Sequence, residues 1–280
     1  MHFVCCIKQV PDTAEVKIDP ETNTLVRAGV ESISNPYDIV ALEEAVRLKE
    51  RYGGRVSVLC MGPPQATTSL REAYTLGADT AILLSDRAFA GADTLATSYT
   101  LSKAIETLCR EETVDVVLCG KQAVDGDTAQ TGPGIATRLG YTQFTYVVQV
   151  EWIDPDTKQI QVRRRIEGGV EVIRGPLPAL LTVELELAQP RRASLPAMID
   201  SLRRPVPTWG AQEIDAPSQR LGIRGSPTWV RAITSPPARK GGPLIDATSE
   251  PARAVTECLD LLLADEAYAE KLFKTEETKA

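Results

Sequence analysis

Histidine is almost absent from this chain, and its scarcity removes much common enzyme chemistry. Among 280 residues the single histidine is His2, next to the N-terminus. Ser-His-Asp triads, histidine-rich metal sites and most histidine acid–base schemes are therefore excluded. If the protein takes part in a reaction, we expect a bound cofactor to supply the chemistry.

The chain also has no strongly basic stretch, no CxxC pair and no long apolar segment near its start. Its formal net charge is -7, and its densest basic run, QVRRRIEG, is typical of a solvated strand edge, so we expect no nucleic-acid partner. The six cysteines indicate buried thiols in a reducing compartment. The N-terminal stretch MHFVCCIKQV is too short for a signal peptide or a spanning helix. We therefore predict a cytoplasmic protein without direct membrane insertion.

Strand-like apolar runs alternate with helical stripes through the first 140 residues. The predicted strands are FVCCIKQV, RVSVLCMG, TAILLS and VDVVLCG, and helices are predicted over about 39–52, 63–77, 94–110 and 131–140. This alternation predicts a Rossmann-like α/β fold, an open, mostly parallel sheet with helices on both faces. The segment from 11 to 38 is interpreted as an excursion or hairpin above the sheet.

Beyond Gly140 the strands follow one another without helices. The runs TQFTYVVQVEWI, QIQVRRRIE, GGVEVIRG and PALLTVELELA predict an antiparallel extension of the same sheet. An extended arm rich in proline and glycine follows from residue 189 to about 243, and an amphipathic helix starts at 251, with Leu259, Leu262 and Leu263 on its stripe. We therefore divide the chain into an α/β domain with its extension, 1–188, and an arm with a terminal helix, 189–280.

Three unusual loops follow predicted parallel strands, at the edge where open α/β sheets bind ligands. Their sequences are NPYD at 35–38, FAGADTLATS at 89–98 and GKQAVDGDTAQTGPG at 120–134. In the second and third loops, glycine permits close approach to the backbone, and threonine hydroxyls lie near helix N-termini that favour phosphate. These threonines are Thr94, Thr97, Thr128 and Thr131. Two such loops indicate a dinucleotide or two nucleotides.

The same residues admit plainer interpretations. Neither loop matches GxxxxGK[ST] or GxGxxG, and glycine-rich turns between strand and helix occur without a ligand. Asp125 and Asp127 could coordinate Mg²⁺, but we favour Asp caps that satisfy the loop's own N–H groups. Asn35, Asp38 and Asp93 could serve only as helix N-caps, and Tyr37 with Asp38 could be only helix-start residues. A nucleotide-cleaving α/β enzyme is a further alternative, against which the loops offer no catalytic set of Lys, Arg or His.

The string GKQAVDGDTAQTGPGIATRLG resembles the signature of the electron-transfer flavoprotein beta (small) subunit. Supporting matches are VCCIKQVPDTAEVKIDP, SNPYD with ALEEAVRLKE, VLCMGPP, LGAD, IEGGVEVI and RRASLP, so the resemblance covers nearly the whole chain. It implies that residues 1–188 bind an adenine nucleotide and that residues 189–280 bind partners. It also implies a heterodimer with an electron-transfer flavoprotein alpha (large) subunit.

Within this family, the chain resembles the nitrogen-fixation and electron-bifurcating branch. The tracts that carry this resemblance are DGDTAQTGP, SDRAFAGADTLATS, Tyr37-Asp38 after Asn35-Pro36, and GIRGSPTWVRAI. The branch implies FAD in this chain, hydride from NADH, and bifurcation of electrons. One electron would pass through the large-subunit FAD to a quinone oxidoreductase or an acyl-CoA dehydrogenase, and the other to ferredoxin or flavodoxin. The alternative is the mammalian pattern, a carrier with one FAD whose small subunit holds structural AMP.

The candidate site residues follow from the same resemblance. It assigns Asp93, Thr94 and Thr97 to phosphates of FAD or NADH, and it makes Leu195 the anchor for dehydrogenase partners. Arg165 stands where the mammalian type has an acidic residue near the subunit interface, so that type's interface electrostatics do not carry over. No catalytic side chain and no metal ligand is assigned. The remaining nucleotide contacts are Cys6, Asn35, Pro36, Tyr37, Asp38, Met61, Ala123, Val124, Asp125, Gly126, Asp127, Thr128, Ala129, Gln130, Thr131, Gly132, Pro133 and Gly134.

Overall fold

The structure is a computed structural model that describes residues 1–12, 32–231 and 243–264. The chain divides into two compact units, Met1–Thr234 and Ser235–Ala280. The functional division proposed at residue 189 stays a prediction. No helix in the described ranges has both the length and the apolar character needed to span a membrane.

The first unit contains all the strands of the described ranges and five of their α-helices. The strands are β1 His2–Ile7, β2 Gln9–Pro11, β3 Ser32–Ser34, β4 Arg55–Met61, β5 Thr80–Leu84, β6 Val116–Gly120, β7 Thr142–Asp154, β8 Gln159–Ile166, β9 Gly169–Pro176, β10 Ala179–Val183 and β11 Thr208–Trp209. The helices are α1 Pro36–Tyr52, α2 Thr67–Leu76, α3 Thr94–Cys109, α4 Thr131–Leu139 and α5 Leu195–Arg203. The second unit contains α6, Pro251–Leu263.

Nine of these strands form one sheet in the order β11-β5-β4-β1-β6-β10-β7-β8-β9. All neighbours from β11 to β7 pair in parallel, and β7, β8 and β9 form an antiparallel extension. This confirms the predicted α/β fold. The short strands β2 and β3 pair with each other at the two ends of the predicted excursion, and its centre, 13–31, lies outside the described residues.

Helices cover both faces of the sheet, as predicted. Successive residues of β1 alternate between two hydrophobic clusters, with Phe3 and Cys5 in the cluster that contains α1 and α2, and Val4 and Cys6 in the one that contains α3 and α4. This alternation is the two-residue period of a strand. Every residue of β1, β6 and β10 is buried, which parallel strands covered on both faces require.

The prediction for the segment PALLTVELELA was wrong. Its strand, β10, does not extend the antiparallel ladder but lies between β6 and β7, parallel to both. A short, wholly buried apolar run suits the centre of a sheet, since its side chains need cover on both faces. The prediction that the basic run QVRRRIEG lies at a sheet edge was also wrong. The run lies in β8, which has a neighbouring strand on each side, and β9 forms the edge.

The arm predicted as extended contains α5 and β11. Ser194 caps α5, since its Oγ accepts a hydrogen bond from the Ala197 N–H at 3.3 Å. Arg71 on α2 donates to the carbonyl oxygens of Ser201 and Arg204 and so holds the end of α5. β11 pairs with β5 and completes the sheet. In the second unit α6 confirms the start of the predicted terminal helix, whose continuation beyond 264 lies outside the described residues.

Candidate functional site

A cavity of about 710 Å³ lies at the carboxyl ends of β1, β4 and β6. Its volume falls within the range of small-molecule binding sites, roughly 300–1,000 Å³. The chain moves from β1 outward to β4 and β5 and then returns to β6 on the other side of β1. The cavity therefore lies at the topological switch point, where open α/β sheets bind ligands.

Most of the residues predicted to bind a nucleotide line this cavity. They are Cys6, Asp38, Met61, Asp93, Thr94, Thr97, Ala123, Gly126, Asp127, Thr128, Ala129, Gln130, Thr131 and Gly132. The other predicted residues do not line it: Asn35, Pro36, Tyr37, Val124, Asp125, Pro133 and Gly134. The second and third predicted loops thus face the same space. Ligand contacts of all these residues stay predictions.

Asp38 joins the two central strands beneath the cavity. Its carboxylate accepts hydrogen bonds from the Lys8 N–H at 2.8 Å and from the Gly120 N–H at 2.9 Å. Burial raises the pKa of Asp38 to about 7, although these hydrogen bonds oppose the shift. A Cβ on Gly120 would stand 2.5 Å from an Asp38 carboxylate oxygen, so the absence of a side chain at Gly120 makes this contact possible.

Asn35 stands at the N-cap position of α1, but its side chain does not cap the helix. Its Nδ2 donates to the Gln122 carbonyl at 2.9 Å, and its Oδ1 accepts from the Val124 N–H at 3.2 Å. Asn35 is fully buried and therefore fixes the first part of the 120–134 loop to the start of α1. The capping interpretation is wrong for Asn35 and also for Asp38, which lies inside the first turn of α1.

The interpretation of Asp125 and Asp127 as caps of their own loop is also wrong. Lys8 Nζ donates to both carboxylate oxygens of Asp125, at 2.6 and 2.7 Å. Asp127 accepts from Gln122 Nε2 at 2.7 Å. Within the described ranges no three His, Cys, Asp or Glu side chains gather as they would around a metal ion.

The loop is instead shaped by its backbone. Asp127 and Ala129 adopt left-handed φ angles of 51° and 54°, which are uncommon outside glycine and cluster at ligand sites. A Cβ on Gly132 would stand 2.5 Å from Thr182 Cγ2, so α4 begins close against the sheet. Across the described residues, no acceptor faces the N–H groups of Thr131 and Gly132 at the start of α4. These groups can therefore receive a ligand phosphate.

The two loops that face the cavity are joined by a hydrogen bond, and each leads directly into a helix. Thr94 Oγ1 donates to Gln130 Oε1 at 3.0 Å, which connects the start of α3 to the start of α4. Asp93 is the N-cap of α3, as predicted, because its Oδ1 accepts from the Ala96 N–H at 3.0 Å. The starts of two helices therefore face one space, an arrangement that suits a ligand with more than one phosphate.

Sequence reasoning missed several lining residues. Lys8 and Lys121 follow β1 and β6 directly, and their position after a strand was a usable signal. Thr228 and Val230 come from the arm, and no local pattern indicated that the arm would return to the cavity. The other missed lining residues are Ile7, Phe89, Gly91, Ala92, Leu101, Cys119, Gly120, Gln122 and Ile135. Most of these are apolar or small, as the walls of small-molecule sites commonly are.

Lys121 is held beside the cavity by groups from three parts of the chain. Its Nζ lies 3.1 Å from Glu184 Oε1 and within 5.2 and 5.8 Å of the ring centroids of Tyr37 and Tyr146. Burial lowers the pKa of Lys121, but the ion pair with Glu184 outweighs it and raises that pKa. Lys121 therefore stays charged next to the loop.

Leu195, the predicted partner anchor, lies on an exposed apolar face of α5. Its side chain is 69 % exposed, and Met198, Ile199 and Leu202 share the face at helical spacing. Arg165, the residue that departs from the mammalian type, pairs with Glu186.

The fold and cavity define an α/β protein with a nucleotide-sized site at its switch point. The family described as Electron transfer flavoprotein domain matches residues 22–213. The protein FixA of Bradyrhizobium diazoefficiens is 46% identical over 264 residues, which cover 93% of this chain and 92% of that protein. The electron transfer flavoprotein subunit beta of Clostridium acetobutylicum is 48% identical, and the alignment covers 91% of this chain and 95% of that protein.

FixA of Azotobacter vinelandii is 48% identical, with 88% of this chain and 89% of that protein covered. The chain therefore belongs to the electron-transfer flavoprotein family, as a beta (small) subunit of the Fix type. Membership implies electron transfer as its role, an association with flavin or nucleotide, and an alpha subunit as its partner.

Proposed function

We propose that the cavity binds FAD and that this chain accepts hydride from NADH within a heterodimer. Electrons would then divide: one would pass through the FAD of the large subunit to a quinone oxidoreductase or an acyl-CoA dehydrogenase, and the other to ferredoxin or flavodoxin. The observation that carries the proposal is that two loops, 89–98 and 120–134, each lead into a helix N-terminus and line the same cavity. A single AMP phosphate needs only one such loop.

The residues present fit an adenine dinucleotide. Small residues allow the backbone to approach it, and a Cβ on Gly126 would meet no protein atom within 4 Å, so space remains beside that loop. The free N–H groups at the start of α4 would hold one phosphate, and Thr94 and Thr97 would meet a second. Bound FAD supplies two-electron acceptance from a nicotinamide and one-electron transfer. The chain's own part is to bind it, orient it and exclude water.

Asp93 would act through position rather than by contact with a phosphate. Its carboxylate can only accept hydrogen bonds, and a phosphate oxygen offers it none. By capping α3 it orients the helix start towards the cavity. Thr94 and Thr97 are therefore the better candidates for phosphate contacts in this loop.

The second candidate is a carrier with one FAD whose small subunit holds structural AMP. The favouring observation is that the 120–134 loop by itself provides one complete helix start with free N–H groups. In that case the loop before α3 would close the cavity without touching the nucleotide. A nucleotide-cleaving enzyme is the weakest candidate, because both lysines that line the cavity are paired with acids.

Ligand counting separates these candidates. The chain is purified with its large subunit, the bound nucleotides are released, and they are quantified per heterodimer. We expect two FAD and no AMP. One FAD with one AMP would refute the proposal and support the simple carrier.

The donor is tested separately by anaerobic addition of NADH. We expect NADH to bleach the flavin absorbance of the heterodimer. A preparation that NADH leaves oxidised, but that a reduced acyl-CoA dehydrogenase bleaches, would contradict NADH as the donor.

A further inference from the structure

The arm returns to the sheet and lies against the loop before α3. Leu221 is buried, and the guanidinium carbon of Arg220 lies 4.0 Å from the centroid of the Tyr99 ring, so both residues anchor this part of the arm on α3. Beyond them, the Ile223 N–H donates to the Ala90 carbonyl at 3.0 Å. Residues 222–231, which we call the strap, continue from these anchors.

Asp93 fastens the strap through three hydrogen bonds. Its Oδ2 accepts from Thr228 Oγ1 at 2.8 Å and from the Thr228 N–H at 3.2 Å, and its own N–H donates to Ser226 Oγ at 2.8 Å. Burial would raise the pKa of Asp93, but the hydrogen bonds from Ala96, Thr228 and Ser226 lower it, so the carboxylate stays charged. Asp93, Ser226 and Thr228 are called the clasp below.

The clasp forms part of the wall of the nucleotide cavity. Asp93 and Thr228 both line it, and so does Val230 further along the strap. Asp93 is at the same time the cap of α3, the helix whose first residue, Thr94, also lines the cavity. A movement of the strap would therefore open one wall and release one side of the α3 start.

Little apolar burial holds the strap down beyond its anchors. Ile223, Trp229 and Val230 are 63, 71 and 74 % exposed, and beyond Ile223 the described hydrogen bonds from the strap to the loop before α3 are those of the clasp. Segments with few buried apolar contacts open at low free-energy cost. A ligand that binds only the closed cavity can therefore shift the strap towards the closed state.

We propose that the clasp couples nucleotide binding to closure of the strap, with Thr228 as its positioning residue. This inference rests on the proposed function, since it takes the cavity as the nucleotide site. By linkage, a nucleotide that favours the closed strap must bind less tightly when the clasp is weakened. The position of the strap on the protein surface would then depend on whether nucleotide is bound.

The test compares two variants at Thr228 in the heterodimer with a control on α3. Thr228→Val removes the hydroxyl, and Thr228→Ser retains it. The control is Thr107→Val. It removes a hydroxyl that donates to the Lys103 carbonyl at the opposite end of α3, away from the cavity. After removal of the nucleotide of this subunit, AMP and FAD are each added back and their dissociation constants for the cavity of this subunit are measured.

Strap closure is followed by limited trypsin digestion and mass spectrometry. Arg224 and Arg231 are exposed cleavage sites within the strap. We expect added nucleotide to slow cleavage at both sites in the wild type and in Thr228→Ser, with a smaller effect in Thr228→Val. We expect Thr228→Val to weaken nucleotide binding by about threefold to tenfold, which corresponds to the typical net contribution of one hydrogen bond.

The outcomes separate this inference from the proposed function. If Thr228→Val binds nucleotide within twofold of the wild type, or if nucleotide leaves strap cleavage unchanged, the coupling is wrong while the site stands. If neither AMP nor FAD binds the cavity of this subunit in the wild-type heterodimer, the proposed function fails and the coupling fails with it. Loss of affinity in Thr107→Val as well would overturn the assignment to the clasp.

Discussion

Asp38 shows how a single buried residue can organise the site. It holds the ends of β1 and β6 together under the cavity, and burial raises its pKa to about 7. Because the unfolded carboxyl has a pKa near 3.9, the folded state binds a proton that the unfolded state has lost between about pH 4 and 7. The contribution of Asp38 to stability is therefore present at low pH and is lost as the pH rises through 7.

This raised pKa can be measured directly. We expect the carboxyl ¹³C resonance of Asp38 to titrate with a midpoint near pH 7, because desolvation disfavours its charged form. Asp38→Asn identifies the resonance by its disappearance. A midpoint below pH 5 would show that the hydrogen bonds from Lys8 and Gly120 outweigh burial.

Asp127 contributes to the loop through its backbone conformation as well as through its side chain. Its φ of 51° is tolerated by Asp and Asn but costs most other residues about 1–2 kcal/mol. We expect Asp127→Ala to lower the small-subunit nucleotide occupancy of the heterodimer, since it adds this strain and removes the bond from Gln122. Asp127→Asn should keep near-normal occupancy. Normal occupancy in Asp127→Ala would mean that the loop is only a turn.

At the scale of elements, local signals predicted α1, α3 and α4 with nearly correct bounds. Apolar periodicity, Asp93 at a helix start and Gly140 at a helix end are properties of neighbouring residues, which a sequence displays directly. The place of β10 between β6 and β7 depends instead on packing between distant segments. The apolar composition of β10 could be recognised in the sequence, but the strands that pair with it could not.

The same limit applies to the site. The loops at 89–98 and 120–134 could be predicted because they follow strands and contain glycine and threonine. The hydrogen-bond partners of Asn35, Asp125 and Asp127 could not be predicted. Each partner either lies on another loop or strand end, or is brought close only by the folded path of the loop. Short polar side chains cap helices often enough that the local interpretation was the natural one.

Helix α5 carries a prediction about partner recognition. Its exposed face with Leu195 has an apolar character that a dehydrogenase or quinone oxidoreductase could cover. Burial of one leucine contributes about 1.5–3 kcal/mol, so we expect Leu195→Ala to raise the KM for the partner roughly tenfold to hundredfold. The nucleotide content should stay unchanged. Leu244→Ala, at an exposed leucine outside α5, serves as the control.

An unchanged KM in Leu195→Ala would contradict the role of this face. An equal rise in Leu244→Ala would show that the effect is not specific to α5.

At the scale of the whole molecule, three tasks fall to different parts of the chain. The parallel sheet positions the cavity, the antiparallel strands complete the sheet beyond β7, and the arm adds both α5 and a wall of the cavity. The exposed apolar face of α5 and the arm residues that line the cavity thus belong to one continuous segment. The central claim is that the cavity of this subunit holds the second FAD of the heterodimer.

The most direct test is the FAD content of Gly126→Leu in complex with the large subunit. Gly126 lines the cavity, and a Cβ there would meet no protein atom within 4 Å, so we expect a side chain at this position to compete with the ligand for space. Gly169→Leu is the matched control, because it makes the same change in open space on β9, away from the cavity. We predict two FAD per heterodimer in the wild type and in Gly169→Leu, and one in Gly126→Leu. Two FAD in Gly126→Leu, or one FAD with one AMP in the wild type, would contradict the account.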